Sequence, residues 1–267
     1  MTNLPEFIFD SVNGPIISLH DSNGKRRVLT VNENGRLHIK DPEFNETRDV
    51  MEVDSQYNVF LRDHWFGSDY SGILGWQRSI AGNSATAEKI EGEVGAPGII
   101  RLSAGKSSTG RCALSLGTKD VVLDTAEITY EFKIRLHQAS TNGLDYRVSV
   151  GFGDVTGNGE FANGVWFEHS AINRGYWIAR TAKNNIRTTI VTTDPVSPGN
   201  WHVLKMIITD AAVQYFCGHT LLCTIDRNIP TGQAFSPIIK IEGISGAADR
   251  YFDLDFISIN LEWPTNE

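Results

Sequence analysis

The chain has 267 residues, 24 Lys and Arg against 32 Asp and Glu, a net charge of −8 and a pI near 5.4. That length buries roughly 75% of the unfolded surface without help from disulfides or metals, and an acidic chain without a basic stripe gives nucleic acid nothing to bind. No apolar run approaches the ~20 residues needed to span a bilayer, which excludes a helical membrane anchor. The N-terminus has no basic segment ahead of an apolar stretch, so no signal peptide is expected and folding is expected in a cytoplasm. Cys112, Cys217 and Cys223 fit no zinc spacing and are expected to be buried, reduced thiols.

In chain order, residues 1–60 read as a small arm. Short apolar stretches at 16–19, 27–31 and 36–39 are separated by turns at Asn23-Gly24 and Asn34-Gly35. Asn-Gly between alternating residues is a hairpin signal, so a three-stranded meander is expected here. It has too little apolar area to stand alone and must pack on the main domain, on a copy of itself or on another protein. Residues 41–60 are acid-rich and read as a linker, with a strand near 57–61.

The main domain is expected over residues 61–267. Trp76 opens a strand, and 99–102 and 111–116 are further strands. The intervening Gly105 and Gly110 have phosphate-loop spacing but lack the Lys-Ser/Thr that must follow. Ile128, Tyr130, Phe132, Ile134 and Leu136 alternate with polar residues, and Tyr146, Val148, Val150 and Phe152 repeat the beat. Strands follow at 165–167, 176–179 and 188–191. Leu204, Met206 and Ile208, then Val213, Tyr215 and Cys217, form two strands of a meander, with a tight turn at Gly218-His219 and a third strand over 221–225. After a strand at 238–241, Phe252, Leu254 and Phe256 share one face before Ile257, Ile259 and Leu261 take over. That change of phase predicts a β-bulge near Phe256-Ile257. Roughly a dozen short strands with no convincing long helix imply an all-β, two-sheet antiparallel sandwich.

Particular residues carry a family resemblance. Trp201-His202-x-Leu204-Lys205-x-x-Ile208, the Gly218 turn and Thr224-Ile225-Asp226-x-Asn228-Ile229-Pro230 resemble the concanavalin A-like lectin/glucanase (laminin G-like) jelly roll, in the versions carried by bacteriophage virion proteins. Gly75-Trp76, the stretch 97–105 and the last strand at 252–261 fit the same pattern, over about residues 61–263. Many relatives have Asp-Gly where this chain has Cys217-Gly218, a departure that touches turn chemistry only. The resemblance implies a jelly-roll sandwich, to which the reading of residues 1–60 adds an N-terminal β-hairpin arm.

Chemistry is harder to find. Glucanases of this superfamily carry Glu-x-Asp-x-x-Glu, since one acid donates a proton while the other attacks; the string is absent. Asp253 with Asp255 and Glu127 with Glu131 share strand faces but read as solvated outer-face carboxylates. Jelly-roll lyases use a Tyr, a His and an Arg or Gln. Tyr146 with Arg147, and His169 with Arg174 and Tyr176, supply those residue types without a motif. Glu168-His169 is no metal pair, because strand neighbours face opposite sides. The stretch 154–160 has the oxygens of a calcium loop, but Val165 stands where the bidentate Glu belongs, so it reads as a turn. Trp166, Tyr176, Trp177 and Arg174 are the candidate glycan-binding residues, against the competing reading that these aromatics are core. No catalytic residue, metal or cofactor is therefore assigned.

With the resemblance to phage-borne jelly rolls, these readings lead to an expected non-enzymatic virion structural protein, assembled in the host cytoplasm. It would be a capsid decoration, head fibre or tail-associated component. Its expected partners are other capsid or tail proteins through the arm, further copies as a homo-oligomer with a trimer favoured, and a host-surface glycan; no membrane or nucleic acid is expected. The alternatives are a carbohydrate-binding module and a polysaccharide-degrading glycoside hydrolase or lyase.

Overall fold

A computed structural model describes residues 59–262, except 66–68, 73, 118–120, 124–125, 155–156, 158 and 172–174, together with five strands between residues 7 and 49. The chain divides into two units, Met1–Tyr57 with Pro264–Glu267, and Asn58–Trp263.

The first unit holds an antiparallel meander of five strands in sequence order: β1 (Phe7–Asp10), β2 (Gly14–His20), β3 (Arg26–Val31), β4 (Leu37–Asp41) and β5 (Glu46–Asp49). The three expected strands are β2, β3 and β4. β1 and β5 are four-residue edge strands. Pairing with a neighbour creates them, because so few residues show no readable alternation. Both Asn-Gly turns lie outside the described residues.

The second unit is a sandwich of two antiparallel sheets. The front sheet runs β16 (Ile186–Pro195), β15 (Tyr176–Lys183), β14 (Gly164–His169), β13 (Tyr146–Gly153), β20 (Ala234–Gly243), β10 (Arg111–Ser115), β7 (Gln77–Ala81), with β11 (Val121–Val122) also on β20. The back sheet runs β19 (Thr220–Ile225), β18 (Val213–Cys217), β17 (Trp201–Ile208), β12 (Glu127–Leu136), β21 (Arg250–Glu262), β9 (Ile99–Gly105), β8 (Thr86–Ile90), with β6 (Val59–Asp63) also on β21. No α-helix occurs among the described residues.

Between the sheets lies one apolar core. Ile128, Tyr130, Phe132 and Ile134 of β12 enter it from the back, and Val148, Val150, Phe167, Trp177 and Ile239 from the front. Phe132 meets Phe167 edge-on at 5.9 Å, and Phe167 meets Tyr215 at 5.0 Å. β21 contains the expected bulge. Lys133 pairs with Phe256 but Ile134 with Leu254, so Asp255 is the extra residue. Phe252, Leu254, Ile257 and Ile259 all reach the core, while Phe256 turns outward beneath the Arg62 guanidinium at 4.4 Å. Gly218 adopts φ +56° in the turn between β18 and β19, a conformation that suits a residue without Cβ.

The two sheets differ on their outer faces. β12 alternates buried and half-buried along its length, as a strand with one solvated face should. β14 is buried at all six positions and β13 at seven of eight. Something covers the outer face of the front sheet, and the residues beneath it are polar.

Candidate functional site

Strand register lays the outer face of the front sheet out in rows. One row reads Ser115, Ile238, Gly151, Trp166, Arg180 across β10, β20, β13, β14 and β15. The next reads Ala113, Lys240, Ser149, Glu168, Ile178, and a third brings Arg111, Glu242 and Arg147 together. Alternation forces this arrangement: Val148, Val150, Phe167 and His169 point into the core, so Arg147, Ser149, Trp166 and Glu168 point out.

The segment after β13 folds over these rows. Its Phe161 packs edge-on against Trp166, with ring centres 4.9 Å apart, and joins Trp166, Ala182 and Ile238 in a small apolar cluster. Asp154 closes the base of the segment by accepting hydrogen bonds from the Ala162 and Asn163 amides at 3.1 and 2.9 Å. Lys240, fully buried, donates to the carbonyls of Gly157 and Gly159, and the Gly159 amide donates to Glu242 at 2.9 Å.

Three carboxylates and three guanidiniums meet under this cover. Arg180 holds Glu160 with Nη1 at 2.9 Å and Glu168 with Nη2 at 3.1 Å. Arg147 reaches Glu242 at 3.0 Å, Glu160 at 3.4 Å and Glu168 at 3.7 Å. Arg187 pairs with the other oxygen of Glu160 at 3.1 Å, and the Trp166 indole donates to Glu168 at 3.2 Å. Glu168 is 1% exposed. Burial raises its pKa above the ordinary carboxylate value, although Arg180 and Arg147 oppose the rise. For Glu160 burial also acts upward, but Arg180, Arg147 and Arg187 together prevail and its pKa is lowered. Two acids on one guanidinium are thus pushed in opposite directions, the pattern of an acid paired with an ionised partner. On the same sheet but lined by none of these six residues, Ser115, Gly117, Gly153, Asp154, Ala234, Ser236 and Ile238 border an open cavity of about 300 Å³.

Gly164 lies four residues before Glu168 on the same face of β14. A Cβ there would stand 2.4 Å from the Phe152 carbonyl oxygen, so no carboxylate fits at that position. A second acid has to come from another element, and Glu160 does.

The sequence-derived candidates are scattered. Trp166 faces outward but is sealed under Phe161, whereas Trp177 points into the core; both are completely buried. Tyr176 is 38% exposed at the start of β15, and Arg174 lies outside the described residues. Tyr146 and His169 are locked together in the interior, ring centres 5.8 Å apart, where no polymer could reach a Tyr/His pair. Asp253 and Asp255 are not solvated as expected: both are buried. Asp253 is ion-paired to Arg101 and Arg135, and Asp255 to Lys133. Sequence reasoning missed Glu160, Glu168 and Arg180. Only the shared face of Trp166 and Glu168 was visible as a signal; Glu160 comes from a loop with no periodicity.

No family model and no curated protein matches this chain. Its fold is that of the concanavalin A-like jelly-roll glucanases. A protein of unknown function from Shewanella oneidensis MR-1 superposes with a TM-score of 0.57 at 10% identity, covering 79% of this chain and 89% of that one. LamA from Zobellia galactanivorans, in complex with laminaritriose and laminaritetraose, gives 0.55 at 14% identity, with 78% and 100% covered. The Bacillus licheniformis β-glucanase gives 0.52 at 10% identity, with 75% and 97% covered.

These likenesses establish the fold, and they correct the expectation of a non-enzymatic virion protein. Similar structures from Bacillus licheniformis, Rhodothermus marinus and Bacteroides ovatus are a β-glucanase, a laminarinase and an endo-glucanase, and none of these is a virion protein. The reason is physical. Trp201, Leu204, Ile208 and the Gly218 turn specify strand pairing and a tight turn, which any jelly roll needs, so they carry no information about where the fold is used.

Proposed function

We propose that the chain is a glycoside hydrolase acting on a β-glucan, with Glu168 as the proton donor and Glu160 as its ionised partner. The observation that carries this reading is the sharing of Arg180 by two carboxylates whose pKa values are shifted apart. A hydrolase needs one carboxyl protonated at working pH to give its proton to the glycosidic oxygen. It needs a second, charged carboxylate to stabilise or attack the anomeric carbon. Burial suits Glu168 to the first task, and the surrounding guanidiniums suit Glu160 to the second. The open cavity reaches the front sheet at Ile238, the end of the Ile238, Gly151, Trp166 row that lies away from the acids, so a sugar ring gains the acid pair only when Phe161 moves off Trp166. A pyranose then takes the position of Phe161 against the Trp166 indole, since aromatic faces stack on sugar C–H surfaces as they do on other apolar rings.

The test is release of reducing ends from β-1,3-glucan and mixed-linkage β-glucan. Glu168→Gln keeps the shape and the indole contact while removing the proton, so turnover should fall ~10²–10⁴-fold with unchanged far-ultraviolet circular dichroism. No release by the wild-type chain from either glucan would sink the proposal, and binding without release would turn the reading to a carbohydrate-binding module.

A further inference from the structure

At one rim of the sandwich, remote in sequence from Glu160 and Glu168, three side chains from three strands meet. Asp194 comes from β16, His202 from β17 and Cys217 from β18. A carboxylate oxygen, an imidazole nitrogen and the thiol sulfur all lie within 4.8 Å of one another. Asp194 belongs to the front sheet and the other two to the back sheet, so the cluster bridges the edge where the sheets come together.

Local structure aims these groups at each other. On the β15–β16 ladder Tyr176 pairs with Pro195 and Ile178 with Val191, so two steps along β15 match four along β16. A bulge of this kind re-aims side chains, and Asp194 sits within it. Cys217 ends β18 immediately before the Gly218 turn. The Trp177 indole packs edge-on against His202 at 5.7 Å and fixes the plane of the ring.

The Cys217 thiol hydrogen-bonds to Asp194, yet one polar atom of the cluster stays unsatisfied. Asp194 Oδ2 is buried and has no hydrogen-bond partner. His202 Nδ1 faces it at 3.8 Å, beyond hydrogen-bond range. Nε2 of His202 accepts the Ser197 amide at 3.2 Å, which leaves Nδ1 as the nitrogen directed at the cluster.

We propose that Asp194, His202 and Cys217 form a zinc site that staples the two sheets at this rim, with water as the fourth ligand. The sulfur, nitrogen and oxygen donor set suits Zn²⁺, which takes four ligands in a tetrahedron. Ligand atoms around such an ion stand about 3.5 Å apart, close to the 3.8 Å between Asp194 and His202. The remaining contraction needs only side-chain rotation at strand ends. Ligation through Nδ1 moves the ring proton to Nε2 and gives up the long contact from Ser197.

Cobalt titration of the full chain tests this. One Co²⁺ per chain should bind and produce a near-ultraviolet thiolate-to-cobalt charge-transfer band. Zn²⁺ should displace it and raise the Tm. Cys217→Ser should abolish both the band and the Tm response, while Cys223→Ser keeps them and Asp194→Asn weakens cobalt binding at least tenfold. Absence of a stoichiometric band in the wild-type chain overturns the proposal whatever the variants do, and so does a band that survives Cys217→Ser or disappears in Cys223→Ser.

Discussion

Asp253 and Glu168 are both buried carboxylates, yet their proton affinities move in opposite directions. Burial acts upward on each. Asp253, however, receives Arg101 at 2.7 and 3.0 Å, Arg135 at 2.8 Å and His137 at 2.6 Å, and its pKa falls well below the ordinary range. Glu168 has longer contacts, and desolvation wins. Short charge-assisted hydrogen bonds are what separate the structural Asp253 from Glu168, the proposed proton donor. Asp253→Asn leaves Arg101 on the back sheet without its closest anion and Arg135 with only the more exposed Glu93. It should cost about 3 kcal/mol, read as a lower urea midpoint at unchanged slope. A loss under ~0.5 kcal/mol would mean solvent screens this cluster as it does a surface pair.

The pairing of β13 with β14 shows how tightly the candidate site depends on its strands. Gly151 lies under Trp166, and a Cβ at that position would stand 2.2 Å from the Val165 carbonyl oxygen and 2.7 Å from the Trp166 Cα. Backbone cannot yield as a side-chain tip can. Gly151→Ala should therefore part the two strands locally, costing roughly 2–3 kcal/mol, and tilt Trp166 and Glu168 away from Arg180. Hydrolysis should fall further than stability alone explains, visible as a lower kcat at temperatures where the variant is fully folded. A variant as stable and active as the wild type would show that the strands are less closely apposed than they stand here.

Stability of the sandwich should decline in acid through identifiable groups. His169 is completely buried and its pKa is lowered to about 4, by burial first. Between pH ~6.5 and ~4 the unfolded chain binds a proton there that the folded chain does not, so stability falls with pH by roughly 3 kcal/mol over that window. Asp253, with its depressed pKa, adds a further loss below pH ~4. Glu168 works the other way: its raised pKa means the folded state holds its proton longer, so its contribution weakens as pH rises above the ordinary carboxylate value. Urea midpoints at several pH values between 7 and 4 should drop steadily in the wild type. In His169→Gln that slope should flatten; an unchanged slope would assign the acid sensitivity elsewhere.

Alternation along β12, β13 and β17 determined the all-β sandwich, and the change of phase along β21 announced a bulge that falls at Asp255, within two residues of its expected place. These are local properties, since a strand with one buried face must repeat every second residue. Which glutamate is buried could not be read that way. Glu168 alternates like any outward-facing strand residue, and only the return of Phe161 and Glu160 over the front sheet turns that outer face into an interior. The same holds for Asp194, His202 and Cys217, which the edge between the sheets brings together. Solvent exposure and the company of charges are set by contacts distant along the chain, and only the tertiary structure decided which of these side chains meet.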